Sequence, residues 1–102
     1  MRIITRRRLN EYAKLHPNAA ASLAAWHDVA RKSAWGNLQE IRQTFPQADP
    51  AKVAGGKTAT IFNIAGKHHR LITAIHFDTG KIFILEILTH AEYSKNRWKK
   101  SL

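Results

Sequence analysis

Three runs of sequence decide the fold: Thr58-Ala59-Thr60-Ile61-Phe62-Asn63-Ile64-Ala65, Arg70-Leu71-Ile72-Thr73-Ala74-Ile75-His76-Phe77 and Lys81-Ile82-Phe83-Ile84-Leu85-Glu86-Ile87-Leu88. Each is rich in β-branched and aromatic residues. Gly66 closes the first run, and Asp78-Thr79-Gly80 between the other two is a hairpin signal. The pattern predicts strands near 58–65, 69–77 and 81–88, folded as an antiparallel sheet. If Ile64 pairs with His69, Asn63 lies opposite Arg70; if Phe77 pairs with Lys81, Arg70 lies opposite Leu88. Residues of equal parity share a strand face, so Asn63, Arg70, Leu88 and, just beyond, His90 gather at one end of one face. A salt bridge from Arg70 to its diagonal neighbour Glu86 is the structural alternative for that arginine.

Upstream, the period changes from two to about three and a half. Arg2-Ile3-Ile4 is strand-like, and Thr5 is placed to cap a helix over 5–15 that turns Leu9, Tyr12 and Ala13 to one side. His16-Pro17 ends it. Asn18 is placed to cap a second helix over 18–32, with Leu23, Trp26 and Ala30 inward. A third, over 37–44, points Leu38, Ile41 and Phe45 inward and stops at Pro46. Pro50–Lys57, with Gly55-Gly56, reads as a loop. Trp26 and Trp35 are expected as core anchors, because a chain this small needs large aromatics between helices and sheet. The expectation is one α+β domain over 1–102: a small antiparallel sheet flanked by N-terminal helices.

The chain has 102 residues, 44% of them hydrophobic, with 17 Lys+Arg against 7 Asp+Glu and a net charge of +10. The excess runs through the whole chain: residues 1–51 carry a net +4 and residues 52–102 a net +6. So basic a domain suits a polyanionic partner. With no Cys there is no disulfide framework, thiolate metal site or cysteine nucleophile. Apolar runs are too short to span a membrane, and the Arg6-Arg7-Arg8 opening lacks a signal-peptide core, so a cytoplasmic protein is expected.

Thr89-His90-Ala91-Glu92 matches a capping box, in which Thr89 caps the Glu92 N–H and Glu92 reaches back. A helix starting there makes His90 and Tyr93 neighbours, and Tyr93 and Arg97 as well. The sequence has no GxxxxGK[ST] or GxGxxG nucleotide cradle. His68 and His69, being adjacent, would point to opposite faces of a strand, and carboxylates near the sheet are too few for a two-metal site; no metal or cofactor is expected. RNA brings its own nucleophile, the 2′-hydroxyl, and cleaving it needs only in-line positioning, proton transfer and a cation. A His/Tyr/Arg/Lys cluster on a basic domain suits that chemistry.

The run Phe62-Asn63-Ile64-Ala65-Gly66, then Arg70-Leu71-Ile72, then Thr89-His90-Ala91-Glu92-Tyr93-Ser94-Lys95 resembles the HigB family of type II toxin–antitoxin toxins. Arg2-Ile3-Ile4-Thr5, His16-Pro17, Trp26, Trp35 and Phe45-Pro46 fit the same family, so the resemblance spans nearly the whole chain. One departure is local: Lys67-His68-His69 stand where the family often has Asn, a basic residue and an aromatic. The resemblance implies a RelE-like fold and an mRNA interferase acting in the A site of the 70S ribosome. Its implied partner is a HigA-type helix-turn-helix antitoxin, through whose complex alone the toxin reaches operator DNA. It also implies catalytic roles for Arg70, His90 and Tyr93, with Asn63, Lys67, His68, Thr89, Lys95 and Arg97 contacting RNA. Two other readings are a RelE-fold toxin that binds DNA gyrase without cutting RNA, and a non-catalytic RNA-binding module.

Overall fold

The computed structural model describes residues 1–102 as five strands and five helices. The order is β1 (Arg2–Ile4), α1 (Arg6–Leu15), α2 (Pro17–Lys32), α3 (Leu38–Thr44), β2 (Asp49–Lys52), β3 (Thr58–Ile64), β4 (His69–His76), β5 (Lys81–Thr89), α4 (His90–Ser94) and α5 (Trp98–Ser101). One sheet runs β1-β5-β4-β3-β2. The three long strands form the expected meander, Ile64 pairs with His69, and Asn63 lies opposite Arg70.

Two corrections concern the sheet edges. Asp49–Lys52, expected as part of a loop, is an edge strand antiparallel to β3. Its Pro50 hides it from a strand pattern, yet an edge tolerates a residue with no N–H to give. At the other edge β1 pairs parallel with β5, so the sheet is antiparallel except at that edge. Nearly the whole chain separates these two strands, which leaves β1 free to enter in either sense.

The second hairpin closes differently from the expected pairing of Phe77 with Lys81: His76 pairs with Lys81 instead. The register nevertheless places Arg70 opposite Leu88, because an irregularity between Ile72 and Thr73 leaves Leu85 as an extra residue on β5. The bulge cancels the one-residue error in the turn. Glu86 beside it lines the cleft between α1 and β5 and makes no ion pair with Arg70.

The two sheet faces bury separate cores. Leu9, Leu23, Trp26, Trp35 and Ile41 from the helical region meet Phe62, Ile64, Leu71, Ile82 and Ile87 on one face. Phe62 sits at the centre, 5.3 Å from the Trp26 ring and 6.3 Å from that of Trp35, so both tryptophans anchor the core as expected. The other face carries a smaller cluster of Val53, Ala59, Ile61, Ile72 and Trp98, closed by α5. That helix has no counterpart in the sequence reading.

Capping is also redistributed. α2 begins one residue early, with Pro17 in the first turn, a position where proline's missing N–H costs nothing. Asn18 therefore does not cap it, and its Oδ1 lies 3.2 Å from His69 Nε2. Thr5 occupies the N-cap of α1 without a side-chain bond, whereas Asn37 caps α3 by accepting from the Glu40 N–H at 3.0 Å.

Candidate active site

The site is built by the end of the meander. The Asn63–Arg70–Leu88 row puts Arg70 on the face away from α1–α3, where α4 folds back over β4 and β5. Thr89 is the N-cap of α4, its Oγ1 accepting from the Glu92 N–H at 3.3 Å. Only half of the expected capping box forms, because the Glu92 carboxylate accepts from Lys95 Nζ at 3.2 Å instead of reaching back. The short helix delivers Tyr93 to Arg70, whose Cζ lies 5.2 Å from the ring centroid. On its other partner side Tyr93 stacks on Trp98, at 5.3 Å and 15°, and its carbonyl accepts from Trp98 Nε1 at 3.1 Å.

Arg70 is buried, 9% exposed. Its Nη1 donates to the carbonyls of Lys67, at 2.7 Å, and His69, at 3.4 Å. No carboxylate pairs with it, and Nε and Nη2 have no protein acceptor. It lines a groove of about 420 Å³ together with Asn63, Lys67, Tyr93, Ile61, Gln47 and Asp49. Burying an unpaired cation is costly, so a guanidinium held this way is a site for an anion from outside. The one carboxylate of the groove, Asp49, is turned to Arg42 at 3.3 Å.

The structure thus gathers Asn63, Lys67, Arg70 and Tyr93 in one groove. The other expected residues are not part of its lining. His90 opens α4 with an exposed side chain, its N–H bonded to the His68 carbonyl at 2.9 Å; it does not line the groove. His68, Lys95 and Arg97 are exposed outside the lining, and Thr89, also outside it, accepts from the Glu92 N–H. Gln47, Asp49 and Trp98 were missed. Gln47 accepts from Asn63 Nδ2, a contact made only because the unrecognised β2 brings the α3–β2 connection alongside β3. An aromatic five residues after Tyr93 is the only trace of Trp98's role.

Behind the groove, His69 points into the helical side. Its Nδ1 lies 2.7 Å from the Tyr12 hydroxyl, and His16 stacks on Tyr12 at 4.2 Å. Burial, then the nearby His16 and His68, hold the His69 pKa below its ordinary value. Burial raises that of Tyr12. His69 is therefore a neutral packing residue, accepting from Tyr12 and donating to Asn18.

An open α+β sheet thus carries, at one end of the face away from α1–α3, a groove lined by Lys67 and Arg70. Residues 19–96 match the family model of the HigB toxin, the RelE-like toxic component of a toxin–antitoxin system, and the chain belongs to that family. A relative from Escherichia coli O6:H1, named mRNA interferase HigB, is 30% identical over 95 residues, covering 93% of this chain and 90% of its own. The mRNA interferase toxin HigB of Escherichia coli (strain K12) is 27% identical over 93 residues, covering 91% and 88%.

Proposed function

We propose that the protein is a ribosome-dependent mRNA interferase, an endoribonuclease toxin of the cytoplasm that cuts translated mRNA without metal. The observation that carries this reading is the buried, counter-ion-free guanidinium of Arg70 lining an open groove. The names of the two relatives support it. The scissile phosphate lies against Nε and Nη2 of Arg70, with the Lys67 ammonium as a second charge. The 2′-oxygen attacks phosphorus in line and the bond to the 5′-oxygen breaks, leaving a 2′,3′-cyclic phosphate and a 5′-hydroxyl. Tyr93 and His90 exchange the two protons, one leaving the 2′-hydroxyl and one gained by the 5′-oxygen. Tyr93 does so from the groove wall and His90 from its rim. Asn63, His68, Thr89, Lys95 and Arg97 hold the flanking RNA.

The partner is a HigA-type antitoxin, which masks the toxin and carries it to operator DNA. Primer extension on a translated message, with and without induction of the protein, tests the reading. Cuts appear on induction, require translation and persist when metal is chelated. An intact message in growth-arrested cells overturns it.

A further inference from the structure

A second cavity, about 310 Å³, adjoins the groove. It lies between the α3–β2 connection and the β3–β4 turn, and shares Gln47 and Asn63 with the groove as a common wall. The two spaces differ in chemistry. The groove contains Lys67, Arg70 and Asp49, whereas no residue lining the cavity is charged, in a chain of net charge +10. Its apolar part is Phe45 and Pro46, with Ala48 and Ala65; the Phe45 ring is held edge to face at 5.4 Å by Phe62, which is itself buried behind it. Its polar part is neutral: Ser22, Thr44 and the carboxamides of Gln47 and Asn63.

Those carboxamides are tied together, Asn63 Nδ2 donating to Gln47 Oε1. The bond fixes both side chains and leaves Gln47 Nε2 as a donor and Asn63 Oδ1 as an acceptor, neither with a protein partner. Ser22 is likewise half-used: its Oγ accepts from the Ala65 N–H at 2.8 Å, leaving the hydroxyl proton to give. An aromatic wall with a neighbouring donor and acceptor matches one kind of RNA group, the face and edge of an unstacked base. The volume sits at the small end of the ~300–1,000 Å³ typical of small-molecule sites, which suits one base rather than a chain.

We propose that this cavity is a nucleobase subsite, taking the base beside the phosphate held by Arg70, and that Gln47 and Asn63 read its edge. The inference rests on the groove being an RNA-cleaving site and assigns it a source of sequence preference. The test maps the 5′ ends of cut message for the wild type, Gln47→Ala and Thr44→Tyr, the last filling the cavity from an exposed position. Wild-type cuts should favour one base at a fixed place beside the break. Both variants should reduce that preference about tenfold, the size of a lost base-edge contact. A wild type that cuts nothing overturns the RNase reading and the subsite with it. Cutting without base preference, or with a preference that both variants keep, overturns the subsite alone. If a variant cuts at no site, the wild-type protein titrated with the four nucleoside 3′-monophosphates decides. Selective shifts of the Gln47 and Asn63 side-chain amide signals by one base support the subsite, and no shift with any of the four overturns it.

Discussion

At the scale of single residues, Arg70 and His69 are neighbours with opposite assignments. Arg70 keeps a buried charge that no carboxylate neutralises. Arg70→Met should therefore lower cleavage by about 10²–10³-fold, the cost of losing one preorganised donor to developing charge. Its stability should stay the same or rise, since an unpaired buried cation is replaced by apolar volume. Cleavage assays and denaturant melts check both, and a large loss of stability would mean that Arg70 is structural. Tyr93 offers a second separation. Tyr93→Phe keeps the ring between Arg70 and Trp98 and removes only the hydroxyl. It should cost about 10²-fold in cleavage at least, if the phenol moves a proton. His90→Gln, at the exposed rim, should cost less. His69 acts through stability. Its folded pKa lies below the ordinary histidine value of 6.5, so the unfolded chain binds the proton first as pH falls. The stability it contributes is complete above 6.5 and is lost as pH drops below that value towards the folded pKa. Its Tm should fall on going from pH 7 to 5, and His69→Gln should flatten that slope. His27, lowered by burial and then by Arg6 and Arg31, leaves a residual slope of the same sign.

Among the elements, α4 matters out of proportion to its five residues. It holds Tyr93 over Arg70, and its only side-chain N-cap bond is the one to Thr89. Thr89→Ala should cost about 1 kcal/mol and reduce cleavage together with it, with Thr89→Ser restoring both. A melt and a cleavage assay on the two variants check this. The same corner shows what could be read beforehand. The Asn63–Arg70–Leu88 row was legible because hairpin turns fix register and parity fixes the face. Its second half emerged correct through two errors, a turn one residue off and the bulge at Leu85, neither of which leaves a local signal in Lys81–Leu88. β2 was illegible because Pro50 argues against a strand everywhere except an edge, and edges are assigned by tertiary context. Gln47 and Asp49 were lost with it. His90 shows the limit of helical spacing, which places it beside Tyr93 in sequence, whereas only packing decides which side chains line the groove.

Across the whole molecule the balance of charge is settled by which acids are already engaged. Glu11 pairs with Arg7, Asp28 with Arg31 and Lys32, Asp49 with Arg42, and Glu92 with Lys95. Exposed pairs of this kind stabilise little, but they leave the remaining cations without a carboxylate partner. Among them Lys67 and Arg70 line the groove, and Arg6 and Lys14 are exposed and unpaired on α1. Beside them Leu15 is 78% exposed at the edge of a cleft of about 420 Å³ between α1 and β5. An antitoxin therefore has two places to bind: on Arg70, or on α1 across the sheet from it. The α1 surface combines unpaired charge with an exposed leucine, whereas no exposed large hydrophobic residue lines the groove, so α1 is the expected contact. Reversing Arg6, Arg7 and Arg8 to Glu should slow association with a HigA-type antitoxin about tenfold or more at low salt, an effect that fades as salt rises. Leu15→Asp should instead speed dissociation. Arg70→Ala should change neither rate, and its weakening the complex while the α1 variants bind normally would place the antitoxin in the groove.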